Sequence, residues 1–322
     1  MTTQHSFWHA FVRPLFPTLL GIGLAVAYGL VAHYAFGEWL WQGDVAAILT
    51  CSFLFLVPLA LGALTISFSP STEKPSVWYA IFMPWLSCTA FMVVLLLFQL
   101  EFMVCVILAL PAFLFISSVG GIVVWSMKWS KSAVLIFLIA PYTAAPLELQ
   151  IETRPLAVTT YTQIHIEATA EEVWAQIASV PLITEAEHEW NFFHAIGLPR
   201  PVSAELIGEG VGAQRDARFE DGLVFAETIT AWQPNELIAF TIEAQSQPLL
   251  PAPLNMIGSE QFNVLQGQYV IEPLADGSVI LYLSSEHVLQ TRFNEYGMVW
   301  TDFIMADLQN YILRVIKARA EQ

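Results

Sequence analysis

The chain has 322 residues, 56% of them hydrophobic and only 12% charged, which excludes disorder and is too apolar for an ordinary soluble domain. Charge is unevenly placed: residues 1–149 hold 4 Lys and Arg with 5 Asp and Glu, whereas residues 150–322 hold 8 with 23, so the second half carries nearly all of the net charge of −16. An acidic half without clustered Lys and Arg argues against nucleic acid as a partner and fits poorly with electrostatic docking on anionic lipid headgroups.

From Leu15 to Leu147 the sequence is almost continuously apolar. A helix crossing the hydrocarbon core needs about 20 such residues. Residues 15–36, 45–67, 77–98 and 102–125 meet that length, and 132–149 is a shorter fifth stretch interrupted by Pro141 and Pro146. Residues 1–149 are therefore expected to be a transmembrane helical domain of four to five spans. The basic connections hold Arg13, Lys74, Lys128 and Lys131, and the alternate ones hold Glu38, Asp44 and Glu101 but no Lys or Arg. Basic loops mark the cytoplasmic side. Eighteen mostly apolar residues at 132–149 are hard to leave in water, which favours five spans and an extracytoplasmic second half, in keeping with a bacterial inner membrane. His33, Glu101 and Glu148 fall near span ends and read as interfacial, while Gly21, Gly23, Gly120 and Gly121 read as close-packing positions. Cys51, Cys88 and Cys105 all lie in the apolar half, so none can crosslink the acidic one.

The second half, 152–322, opens with a strand at "AVTTYTQIHIEA", followed by a short helix whose Thr169 and Glu172 form a capping-box pattern. A second short helix is expected over 181–197. Period-two runs follow at about 202–208, 212–220, 223–232, 236–244, 261–272 and 278–288, with Asp221-Gly222, Pro234-Asn235 and Asp276-Gly277 as hairpin signals. A long final helix places Val299, Trp300, Phe303, Ile304, Leu308, Tyr311, Ile312 and Val315 on one stripe.

This order, carried by "IHIEATAEEVWAQIASV", "GEGVGAQRDARF", "FAETITAWQPNELIAF" and "VWTDFIMADLQNYILRVIKARAE", resembles the START-like superfamily of polyketide cyclases, lipid-transfer domains and the birch-pollen allergen. The resemblance covers the second half and extends to membrane-anchored members with a similar helical half in front. It implies an α+β helix-grip domain, a curved antiparallel sheet around the long C-terminal helix, enclosing an apolar cavity for a lipid or other hydrophobic small molecule.

Strand parity nominates the cavity wall. Arg215 and Phe219 share a face in one strand, and Phe225, Glu227, Ile229 and Ala231 share one in the next, so Arg215 and Glu227 are expected inside and paired. Arg215 is a candidate to grip a carboxylate or phosphate headgroup, with Glu227 to hold it in place. Phe240, Trp300 and Phe303 complete the candidate ligand-binding set. A gate is expected from Trp190, Phe192 and Phe193 together with Leu249, Leu250 and Leu254 of the apolar connection 245–260. The alternatives are an enzyme of cyclase or hydrolase type, with Glu227 or His287 as base, and an envelope or stress sensor with an unidentified protein partner.

The stretch "EAEHEWNFFHAIGLPRP" at 185–201 is dense in acids and histidines. The His-Glu-x-x-His metal pattern fails at Phe192, and on a helix His188 and His194 would stand about 120° apart. The stretch reads as the solvated face or entrance rim of a lid, with no metal. No cofactor is expected, because no phosphate loop, nucleophile–base pair or Cys cluster is present in the sequence. Asp302 and Asp307 are expected to point outward.

Overall fold

The computed structural model describes residues 13–40, 50–69, 76–127, 131–245 and 254–322. The chain divides into two compact units, Met1–Thr153 and Arg154–Gln322.

The first unit is helical. α1 (Arg13–Tyr34) runs into a π-helical turn at Ala35–Leu40, and a second such turn at Ser52–Leu56 leads into α2 (Val57–Ser67). Then come α3 (Val77–Leu97), α4 (Met103–Ser126) and α5 (Lys131–Glu148). Three helices, Phe16–Gly37, Val77–Leu97 and Met103–Ser126, are long and apolar enough to cross a membrane, whereas Ser52–Ser67 and Ser132–Glu148 are shorter. Residues 45–49 of the expected second span lie outside the described residues.

α2 is buried along almost its whole length, with α1, α3, α4 and α5 as neighbours. A helix apolar all round belongs in the interior of a bundle. Glycine permits its close contact with α4: a Cβ on Gly62 would stand 1.9 Å from the Ser117 carbonyl oxygen, and one on Gly120 would stand 2.1 Å from that of Leu59. Gly23, expected to serve the same purpose, has nothing within 4 Å of such a Cβ.

The polar residues expected at span ends are ties between segments. His33 Nε2 and Glu101 Oε1 are 2.8 Å apart. Glu148 is buried and accepts from the backbone N–H groups of Cys51 (2.7 Å) and Ser52 (2.8 Å), satisfying donors at the start of the π-helical turn.

The second unit comprises β1 (Leu156–Ile166), α6 (Ala170–Ala178), α7 (Phe192–Ala195), β2 (Pro201–Ile207), β3 (Gln214–Phe219), β4 (Val224–Gln233), β5 (Leu237–Ala244), β6 (Phe262–Pro273), β7 (Val279–Leu289) and α8 (Asn294–Ala320). The strands form one antiparallel sheet in the order β1-β7-β6-β5-β4-β3-β2. α8 packs on β1, β7 and α6. A core of Ile166, Val173, Ile177, Ile238, Leu281, Leu313 and Ile316 joins sheet and helices. Each expected strand is present, and Thr169 and Glu172 form the capping box that starts α6.

Three local expectations need correction. The helix over 181–197 is only the four-residue α7, because the preceding segment pairs its backbone with β2 instead. Val180 bridges Ala204, and the Ile183 N–H donates to the Val202 carbonyl at 2.8 Å. In β4 a bulge between Ile229 and Ala231 breaks the alternation, so Trp232, not Ala231, packs on the core and meets the Trp174 ring edge-on at 4.9 Å. Of the stripe expected on α8, Tyr311 and Val315 are buried and Ile304, Leu308 and Ile312 line the cavity, but the buried residues also include Met298, Met305, Gln309, Leu313, Ile316 and Ala320. Val299 and Phe303, expected inside, are 69% and 55% exposed. A polar residue occupies their place because its bonds are satisfied: Gln309 donates to Ser285 Oγ (2.9 Å) and the Thr160 carbonyl (3.3 Å), and accepts from Thr162 Oγ1 (2.8 Å).

Candidate ligand-binding site

Between the sheet and α8 lies a cavity of about 200 Å³. The strands contribute Ala217, Phe219, Phe225, Phe240, Ile242, Val264 and Leu283, and α8 contributes Ile304, Leu308 and Ile312. Phe193, Leu198, Leu223 and Ile257 close further parts of the wall. Gly267 on β6 leaves room for the Phe240 ring, since a Cβ there would lie 2.6 Å from it.

Arg215 and Glu227 also line this cavity. They are direct cross-strand partners in the register of β3 and β4, both buried, with Arg215 Nε donating to Glu227 Oε2 at 2.5 Å. Arg215 Nη1 donates to the Ile177 carbonyl at the end of α6 (2.7 Å), and its guanidinium stands 4.4 Å over the Phe240 ring. Burial raises the Glu227 pKa, and Arg215 pulls it back. Tyr269 lies in the same part of the wall, its phenol pushed up to about 12 by burial.

The other expected binding residues are placed differently. Ile229 is fully packed in the core, and neither it nor Trp300 nor Phe303 belongs to the cavity wall. Phe303 lies edge-on against Phe193 at 5.2 Å, on the outer side of that ring, with Trp300 beside it. Of the expected gate, Phe193 is buried in the wall, Phe192 is 42% exposed and Trp190 is 79% exposed. Leu249 and Leu250 lie outside the described residues, and Leu254 opens a 3-10 turn that leads to Ile257 in the wall.

His287 faces inward from β7, is fully buried and packs near the Phe262 ring (5.9 Å), but it is not part of the cavity wall. Among the described residues neither of its ring nitrogens has a hydrogen-bond partner, and burial lowers its pKa.

The acidic stretch before α7 is solvated but not helical. Glu185 and Glu220 both pair with Arg200, Glu189 with Arg314, and Glu187 with Arg319 (2.5 Å), while the His188 ring hydrogen-bonds the Tyr311 hydroxyl. Three of these ties fix the segment to α8. Among the described residues no group of three or more His, Cys, Asp or Glu is placed to hold a metal ion.

Sequence parity did not reveal the helix-side polar groups of the wall. His194 and Asp307 both line the cavity, and Asp307, expected outward, accepts from Asn191 Nδ2 at 2.5 Å. Their placement depends on α7 docking on α8: Asn191 caps α7 by accepting from the His194 N–H (3.0 Å) and bonds across to Asp307.

A sheet wrapped on one long helix around an apolar cavity containing a few buried polar groups is a helix-grip arrangement with an internal cavity. No family model matches the chain, and no curated protein does. Solved structures similar to it include a protein from Nitrosospira multiformis, at 21% identity over 50% of this chain and 94% of that one, with a TM-score of 0.32. Norcoclaurine synthase from Thalictrum flavum is 16% identical over 54% of this chain and 91% of its own, with a TM-score of 0.33. The di-domain ARO/CYC BexL of the BE-7585A biosynthetic pathway is 16% identical over 64% of this chain and 63% of its own, with a TM-score of 0.31.

Proposed function

We propose that the second unit binds a lipid or similar hydrophobic small molecule, held beside a bilayer crossed by α1, α3 and α4. The observation that carries this reading is the cavity itself: a wall of aromatic and aliphatic side chains between sheet and α8, with its charged groups confined to a few positions. Apolar surface supplies affinity for such a ligand, and isolated polar groups set its orientation. Attachment of the unit to membrane-crossing helices keeps it at a high local concentration near lipid. Binding is favoured over catalysis because Glu227 is already held by Arg215 and His287 lies off the wall, which leaves neither placed to act as a base on a bound molecule.

The test is to fill the cavity. Ala217 lines it from β3, and Ala217→Trp places a large ring where ligand would sit. Full-length protein in lipid nanodiscs should retain a defined apolar molecule, identifiable by mass spectrometry after washing and extraction, and the variant should lose it while keeping its circular dichroism. Equal retention by both proteins would show that the molecule was bound elsewhere and remove the reading.

A further inference from the structure

The cavity has a second polar patch, on its helix side, formed by His194 of α7 and Asp307 of α8. His194 sits edge-on over the Tyr311 ring at 4.7 Å, and Tyr311 lies one turn beyond Asp307 on α8. The Nδ1 atom of His194 is buried and has no hydrogen-bond partner among the described residues. A buried polar atom in that state costs free energy unless something else completes it. Burial holds the His194 pKa below its ordinary value against the opposing pull of Asp307 and Glu220, while Arg200 and His188 add to the lowering.

Asp307 is bonded to an uncharged amide, that of Asn191, and among the described residues no Lys, Arg or His forms an ion pair with it. Arg200 is itself held by Glu185 and Glu220. On the sheet side the situation is reversed: Arg215 already has its counter-charge in Glu227, so that pair is neutral as a unit and does not call for an anion. Arg218, also in the wall, is paired with Asp216 at 2.9 Å. Of the charged residues in the wall, Asp307 is therefore the one without an ion pair among the described residues, and the Nδ1 of His194 beside it has no hydrogen-bond partner there.

We propose that His194 and Asp307 form a polar subsite that receives a hydrogen-bond donor, an amine or hydroxyl, at the end of an otherwise apolar ligand. The subsite disfavours carboxylates and phosphates, contrary to the anionic headgroup expected from Arg215 alone. An ammonium or hydroxyl group placed there donates to Asp307 and completes His194, while the ligand's hydrocarbon part occupies the aromatic wall. This assignment rests on the reading that the cavity holds an apolar molecule.

The probes are three eight-carbon compounds differing only at one end: octylamine, octanol and octanoate. Their binding is measured by calorimetry on full-length protein in phosphatidylcholine nanodiscs, with empty nanodiscs subtracted. A hydrogen bond to a charged group contributes enough to shift affinity by about tenfold. Octylamine should bind about tenfold more tightly than octanoate, with octanol between them. Asp307→Asn, which keeps an oxygen able to accept from Asn191, should abolish the preference for the amine and leave octanoate as it was or tighter. His194→Phe, which keeps a ring on Tyr311, should weaken octanol. Equal binding of all three compounds, or a preference unchanged in Asp307→Asn, would overturn the subsite and leave the cavity reading intact. Failure of all three to bind would remove both.

Discussion

Arg215 and Glu227 stand opposite each other in register on β3 and β4, and a one-residue slip of either strand would separate them. Both are almost out of water, so each is tolerated only because the other is there. Arg215→Leu should therefore leave a stranded carboxylate and destabilise the second unit by about 3–5 kcal/mol. The double change Arg215→Leu with Glu227→Leu should recover much of that loss. Hydrogen exchange of the β3 and β4 amides in the full-length protein measures both effects. Equal protection in the single and double variants would mean that the pair is not coupled. The pairing was legible from sequence because period-two alternation put both side chains on apolar faces of successive strands. Asp307 was not, because its place in the wall depends on Asn191, a residue 116 positions earlier in the chain.

At the scale of elements, what is local was readable and what is tertiary was not. The strands follow from alternation and their turns from Asp221, Asn235 and Gly277, each with positive φ. The α6 capping box lies within four residues. The segment 181–191 repeats that local pattern, with the Thr184 N–H and hydroxyl donating to Glu187, but no helix continues from it; its acids are matched one by one to Arg200, Arg314 and Arg319, which lie elsewhere in the chain. Apolarity also misled on α8, where Val299 and Phe303 are left exposed while Gln309 is buried on three hydrogen-bond partners.

Those acid–base ties make the segment's attachment sensitive to pH. Arg319 first, and then Thr184, hold the Glu187 pKa down from its ordinary value of 4.5 to about 2. A depressed carboxylate stabilises the folded state above its unfolded pKa, and that contribution is lost as pH falls through the folded value. Docking of 181–191 on α8 should weaken between pH 4.5 and about 2. In Glu187→Gln that part of the pH dependence should be absent. Urea midpoints measured across the range for both proteins report it, and parallel curves would show that Glu187 contributes nothing there.

In the molecule as a whole, one unit carries long apolar helices and the other an apolar cavity. The helical unit was legible as hydrophobic segments of sufficient length, but the internal position of α2 was not, because hydropathy does not distinguish a helix surrounded by protein from one surrounded by lipid. The cavity was implied by the resemblance and could be placed only with the sheet closed over α8. The most direct measurement of its role uses a photoactivatable long-chain alcohol added to membranes containing the full-length protein, with the labelled peptides mapped after irradiation. The account calls for labelling of cavity-wall segments around Phe219, Phe225, Phe240 and Ile304–Leu308, and for its loss in Ala217→Trp. Labelling confined to α1–α5, with the second unit untouched, would contradict it.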